Sequence, residues 1–431
     1  MYLYKINGIM MKEILIEQNP HWQGKRYSSA RRDKLAELIS YLPLRQIITI
    51  SGIRRCGKST LARQAMEHLV DEGTDPKNIL FVNLEQPAFL EYKHDANYLN
   101  TIYESYLTLV NPRGKVYIIF DEVQFFENWQ VFVKSKYENS GIKFIITGSN
   151  SSMLSTELAT LLSGRSLNIH LDTFSFTEYL DAIGVDHQDE MARLANKIAI
   201  ARAKEAYLRW GGFYEVFTIE DESVKKEILI NYAKNIIYQD IIPRYGIRNS
   251  EVVERLFFYL LSTATGLLNY ATLSRTFEIS DKTIKEYINY FEDVFLFKRV
   301  DKYHPKPKEQ IKSSKKLYVH DNGFLSIAPS HSENRGQALE NWVFVHLNRS
   351  CSSAISYLKE THEIDFRCDQ TLYQVSYAID DDKTRKRELQ AFGYFEDKRI
   401  LARRLVTFDT NEAVDDVEVL SVDRLMYENG D

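Results

Sequence analysis

The sequence predicts an α/β fold built on a parallel sheet covered by helices, and three observations predict it. A glycine-rich turn, Gly52 to Ser59, stands between the apolar run Ile47–Ile50 and a helical pattern. Two further runs, NILFVNLE from Asn78 and KVYIIFD from Lys115, are apolar on successive positions, as strands buried on both faces are. Helical patterns separate the runs: Leu61, Ala62, Ala65, Met66 and Leu69 recur on one face after the first.

Taken in order, the chain begins with a lead-in over 1–30. An amphipathic helix follows, with Leu35, Leu38, Ile39 and Leu42 on one face. The turn after the first strand reads Gly52-Ile53-Arg54-Arg55-Cys56-Gly57-Lys58-Ser59-Thr60, and is of the form G-x-x-x-x-G-K-S. Its glycines let backbone N–H groups converge on a phosphate, and the helix N-terminus adds a favourable dipole. Lys58 is expected at the β- and γ-phosphates and the Ser59 hydroxyl at Mg²⁺. The run from Lys115 ends in Asp121-Glu122, where Asp121 suits Mg²⁺ and Glu122 suits the attacking water. A fourth strand, Lys143 to Thr147, ends in Thr147-Gly148-Ser149-Asn150. Lying between the first and third strands, Thr147, Ser149 or Asn150 would sit beside the γ-phosphate; the plain alternative is a capped turn. Arg165, in Ser163-Gly164-Arg165, precedes a fifth strand and is a candidate to stabilise transition-state charge in a neighbouring subunit.

In this order the residues resemble the AAA+ branch of the P-loop ATPases. The finer likeness is to a large prokaryotic family of predicted ATPases reading G-x-R-x-x-G-K-[ST], then DE with a Trp beyond it, then TGS, then SGR. Trp129 fills the Trp position. Later motifs also match: Phe174-Ser-Phe-Thr-Glu178-Tyr179, Gly211-Gly212-Phe213-Tyr214-Glu215 and Tyr238-Gln-Asp240-Ile-Ile-Pro-Arg244-Tyr245. Tyr214 departs from the family's usual proline. The resemblance implies ATP rather than GTP, with Mg²⁺.

The expected divisions are 31–173 for the P-loop core, 174–245 for a helical lid, 246–303 for a winged helix, 304–316 for a linker and 317–431 for a last domain. In the third, Asn269–Phe277 is a short helix and Ser280 caps a second, followed by a hairpin-like segment. Lys282, Thr283, Lys285 and Asn289 lie on the second helix's outer face and suit a DNA groove. The plainer reading is a protein-packing module. The last division resembles the restriction-endonuclease-like fold in Glu340, Asp365, Gln374 and Ser376. That fold's metal-dependent nucleases carry Glu and Lys where this chain has Gln374 and Ser376. A carboxylate and the cation are therefore missing, and the site reads as vestigial.

Composition sets bounds. Of 431 residues, 44% are hydrophobic and 27% charged, as in globular proteins with two to four domains. The net charge of −5 argues against a large general affinity for nucleic acid. No apolar run reaches the roughly 20 residues of a membrane helix. Three cysteines, Cys56, Cys351 and Cys368, make no disulfide framework and no C-x-x-C pair, so a reducing cytoplasm is expected. The expected function is Mg²⁺-dependent ATP hydrolysis driving a conformational switch in the C-terminal domains, with homo-oligomerisation if Arg165 acts in trans. The alternatives are an ATP-gated DNA-binding module and a metal-dependent nuclease.

Overall fold

In the first of the chain's two compact units, Met1–Asp172, five strands pair in parallel. They are β1 (Ile47–Ser51), β2 (Ile79–Asn83), β3 (Tyr117–Asp121), β4 (Lys143–Gly148) and β5 (Ser166–His170), in the order β2-β3-β4-β1-β5. The computed structural model describes residues 2–95, 97–150, 164–329, 334–395 and 399–428; Ser163 of the SGR motif lies outside them. Every residue of β1, β3 and β4 is buried, so neither face needs polar alternation and the strands read as unbroken apolar runs. Ile118, Phe120, Phe144 and Ile146 share a core with Leu99 and Ile102 of α4 (Tyr98–Val110) and Trp129 and Phe132 of α5 (Trp129–Ser140). Trp129 is therefore a packing residue. The helix after the glycine-rich turn, α3 (Lys58–Asp71), buries the expected Leu61, Ala62, Ala65, Met66 and Leu69.

The lead-in is more than an approach to the core. It forms α1 (Tyr2–Gln18), whose Met11 and Leu15 enter the core. Past its end, Asn19 donates through Nδ2 to Phe81 O at 2.8 Å and accepts from Phe81 N through Oδ1 at 2.7 Å. Gln18 Oε1 accepts from Asn83 N at 2.8 Å. These side-chain amides satisfy the backbone of β2, an edge strand that would otherwise present unpaired groups. Helix α2 (Lys34–Tyr41) buries Leu38, as its pattern predicts.

The second unit, Thr173–Asp431, holds an eight-stranded mixed sheet. Its strands are β6 (Phe297–Lys302), β7 (Lys315–Val319), β8 (Ser356–Lys359), β9 (Glu363–Cys368), β10 (Thr371–Val375), β11 (Ala402–Thr407), β12 (Glu412–Val414) and β13 (Val417–Ser421). The longer helices are α6 (Phe176–Ala182), α7 (Lys197–Trp210), α8 (Glu222–Asn235), α9 (Ser250–Ser262), α10 (Tyr270–Phe277), α11 (Asp281–Asp293), α12 (Arg335–Ser350) and α13 (Asp382–Ala391). Ser175 and Glu178 of the FSFTEY motif form a reciprocal cap on α6. Gly211 has φ +68°, and a Cβ there would lie 1.9 Å from Asp321 Oδ1. Asp321 Oδ2 accepts from Gly212 N at 2.9 Å and from Thr173 Oγ1 at 2.6 Å. Gly211 is thus required by a buried carboxylate and Gly212 by the Phe174 backbone, whose O would lie 2.2 Å from a Cβ there, a structural role for the pair.

Three expectations are corrected. Residues 304–316 are not a free linker: Pro307–Lys312 is helical and Lys315 begins β7. The segment Leu296–Tyr303 is not a self-contained hairpin. Its strand β6 pairs antiparallel with β7 and parallel with β8, so it belongs to the large sheet. Cys351, just past α12, and Cys368, at the end of β9, form a disulfide with Cα atoms 5.9 Å apart. Neighbouring elements bring together two cysteines that sequence spacing does not pair. Among the described residues, no helix is long and apolar enough to cross a membrane.

Candidate nucleotide-binding and hydrolysis site

Strand order decides what meets what. Because β4 lies between β1 and β3, the ends of three strands bring together the glycine-rich turn, the acidic pair and Thr147. The turn itself is constrained. Gly52 has φ +153°, and a Cβ would sit 2.0 Å from Leu171 O; Gly57 has φ +102°. Arg32, only 2% exposed, donates to Cys56 O and, at 2.8 Å, to Asp172 O, tying the turn to the end of the unit. Cys56 is a buried free thiol whose pKa burial pushes up.

Lys58 is 3% exposed. Its Nζ donates to Gly52 O at 3.2 Å and Ile53 O at 3.1 Å, and lies 3.6 Å from Glu122 Oε1. Burial works against its charge, but Glu122, Cys56 and Asp121 outweigh burial and raise its pKa. Ser59 Oγ donates to Asp121, with its two oxygens at 2.7 and 2.9 Å. Thr147 Oγ1 donates to Asp121 Oδ1 at 2.6 Å and accepts from Glu122 N at 3.0 Å. Thr147, expected near the γ-phosphate, is thereby the bracket that holds both acids. Burial pushes both carboxyls up; Glu122's charge reinforces this at Asp121, whereas Lys58 and Arg54 outweigh it at Glu122, whose pKa falls. Two adjacent carboxyls are thus set apart in acidity, Asp121 upward and Glu122 downward.

The other candidates are placed as follows. Arg54 pairs with Glu85 Oε1 at 3.0 Å. Arg55 is exposed with φ +71°, and Thr60 lies in the first turn of α3. Ser149 and Asn150 are buried just beyond β4. Arg165 is not brought to this cluster. Its carbonyl accepts from Ile47 N, at the opposite end of β1 from Gly52, and its guanidinium pairs with Glu138 at 2.7 Å. Five strand residues, about 16 Å, separate the two ends.

In the second unit, α10 and α11 stand in the expected order, Ser280 caps α11, and Ile284, Ile288 and Phe291 are buried. Lys282 is exposed and lies 3.9 Å from Glu286; Lys285 lies over the Tyr270 ring. Thr283 N is bonded to the Ser280 cap, and Asn289 accepts from Arg299 at 2.7 Å.

The vestigial constellation is rearranged rather than empty. Glu340 and Asp365 meet around Lys316 of β7, at 3.1 and 3.2 Å, and Glu363 joins them at 2.6 Å. Tyr318 donates to Glu340 at 2.7 Å. Gln374 accepts from Asp365 N and donates to Glu388, whereas Ser376 bonds Ala378 O and does not join. A carboxylate and a cation do join Glu340 and Asp365, but they are Glu363 and Lys316 and not residues at 374 and 376. The sequence signals were alternations, Lys316-x-Tyr318 and Glu363-x-Asp365, each placing two polar residues on one strand face. Sequence reasoning missed these, and missed Gln124, which contacts Glu122.

Fold and site define the class: the amino-terminal unit has the α/β fold of a P-loop NTPase. The profile of the family described as AAA domain matches residues 44–180, and that of a domain of unknown function matches 202–334. An uncharacterized protein of Haemophilus influenzae is 33% identical over 360 residues, 81% of this chain and 87% of the relative. The chain belongs to the same family as that protein. An uncharacterized protein of Methanocaldococcus jannaschii is 29% identical over 406 residues, 90% of this chain and 87% of the relative. Among solved structures, a Walker-type ATPase of Pyrococcus abyssi aligns over 70% of this chain and 96% of its own, at 11% identity and a TM-score of 0.42.

Proposed function

We propose that this protein binds ATP with Mg²⁺ at Gly52–Thr60 and hydrolyses it, and that the cycle drives a conformational switch in the carboxyl-terminal elements. The observation that carries the reading is the bonded set Ser59–Asp121–Thr147–Glu122 with Lys58 3.6 Å from Glu122. The donor set fits a hard cation: a hydroxyl and a carboxylate already point at each other. Ser59 and Asp121 would hold Mg²⁺, which when bound neutralises charge on the phosphates. Lys58 exchanges the carbonyls of Gly52 and Ile53 for phosphate oxygens. Glu122 orients the attacking water and takes its proton, and Thr147 keeps both acids in register. Arg165, distant from its own chain's loop, would serve only a neighbouring subunit, which requires a homo-oligomer.

The test is steady-state ATP hydrolysis by the full chain beside Lys58→Ala and Glu122→Gln. Lys58→Ala should abolish nucleotide binding; Glu122→Gln should retain binding and lose turnover. An unchanged rate in Glu122→Gln would refute the hydrolysis reading. Rate per subunit across protein concentration reports assembly through Arg165.

A second reading, contact with duplex DNA through a winged helix, is favoured by the exposure of Lys282 and Lys285 on α11. Binding should then weaken steeply with salt and fall in Lys282→Ala/Lys285→Ala. A metal-dependent nuclease would need Glu340, Glu363 and Asp365 to exchange Lys316 for a metal ion; Mn²⁺-dependent cleavage of duplex DNA by the full chain tests that.

A further inference from the structure

Gln124 follows Glu122 by two residues, in the helical turn Val123–Phe125 that folds its side chain back toward the acid. Its Nε2 donates to Glu122 Oε2 and, at 3.0 Å, to Ser149 Oγ. Ser149 is 2% exposed and lies just past β4. The Glu122 carboxylate is thus suspended between two donors, Lys58 near Oε1 and the Gln124 amide on Oε2. Glu122 itself sits at φ +57°, a conformation L-residues enter at a cost, and its N–H is fixed by Thr147. The strain and the bracket aim the side chain; the two donors hold its end.

These donors behave differently when a triphosphate arrives. Lys58 is a mobile ammonium that the phosphates attract. Gln124 is neutral, so a phosphate draws it far less than an ammonium, and its second N–H is engaged by Ser149. A neutral donor also leaves the carboxylate's charge in place. The other end of the same amide is unspent: Gln124 Oε1 is buried and accepts no hydrogen bond among the described residues. A buried acceptor left so is costly, and a water beside Glu122 would relieve that cost.

We propose that Gln124 is a positioning residue for hydrolysis: its N–H holds Glu122 once Lys58 turns to phosphate, and its Oε1 receives a hydrogen of the attacking water. The inference rests on the ATPase reading above. In the step, water oxygen bonds the γ-phosphorus while the bond from phosphorus to the ADP oxygen breaks. One water proton passes to the Glu122 carboxylate, and Gln124 gains and loses none.

The experiment is a mutant cycle on the full chain, with ATP turnover and ATP binding measured separately. Gln124→Leu keeps the side chain's size but removes donor and acceptor. Turnover should fall about tenfold or more, up to the roughly 10²–10⁴-fold of full general-base assistance, while ATP affinity stays within about twofold. Ser149→Ala should shift turnover in the same direction by less. In Glu122→Gln, where the base is already absent, adding Gln124→Leu should cost nothing further. The proposal is overturned if Gln124→Leu keeps wild-type turnover, if it loses affinity in proportion to turnover, or if it costs the same with and without Glu122. Failure of the underlying reading looks different: wild type and Glu122→Gln would then turn over alike, and both claims would fall.

Discussion

Replacing Lys316 by methionine isolates one buried ion cluster and gives a stability change large enough to measure. Lys316 is 4% exposed and touches three carboxylates, Glu363 at 2.6 Å, Glu340 at 3.1 Å and Asp365 at 3.2 Å. Burial disfavours its charge, yet the three acids outweigh that and raise its pKa. The flanking carboxylates are themselves at most about a quarter exposed, with side chains 18%, 27% and 11% accessible. Methionine preserves much of the volume and removes the charge, leaving three acids facing one another. Breaking a buried pair by removing one partner costs about 3–5 kcal/mol. For a unit of this size that is a fall in Tm of about 10 °C. The sign with pH follows. Burial and Glu340 already raise Asp365 to about 7 beside Lys316, while Lys316 holds Glu363 low against burial; without the ammonium Asp365 rises further and Glu363 loses that hold, so the folded variant binds more protons than the folded wild type. The variant's stability relative to wild type therefore rises as pH falls, and the gap narrows between pH 8 and pH 5. Urea midpoints of both proteins across that range give the comparison. A loss below about 1 kcal/mol at pH 8, or a gap indifferent to pH, would refute the argument that Lys316 neutralises this cluster.

Other perturbations follow from the first unit. Gly52→Ala places a Cβ 2.0 Å from Leu171 O at φ +153°; a cost of about 1–3 kcal/mol and loss of nucleotide binding are expected, by thermal melt and ATP titration. Asn19→Ala removes both side-chain bonds to Phe81 at the sheet edge, and should cost about 2–4 kcal/mol with faster hydrogen exchange along β2. His21 is buried against Ile79 O, and burial lowers its pKa below the ordinary 6.5. The unfolded chain accepts a proton that the folded ring refuses, so stability is full above about pH 6.5 and falls as pH drops through the lowered folded value. His21→Gln should flatten that acid loss in urea midpoints measured at pH 7.5 and 5.5.

The glycine-rich turn and Asp121-Glu122 were legible in the sequence because their chemistry is local. Eight consecutive residues, Gly52 to Ser59, carry the loop, and burial of both sheet faces writes each parallel strand as an apolar run. The alternation of such runs with helical stripes then implies the α/β class. What the tertiary structure alone decided are pairings between distant positions. Strand order put Thr147 between the loop and the acids, where it holds both instead of standing free. Asn19 found Phe81, Cys351 found Cys368, and Lys316 found Glu340, Glu363 and Asp365. Gln374 and Ser376 read as a lost site because a sequence motif assumes which strand supplies each group. An ion cluster needs only that charges arrive at one point, and β7 brings Lys316 to the acids of β9 and α12. Local sequence sets the element and its chemistry; the partner across the sheet depends on chain topology, which no single segment encodes.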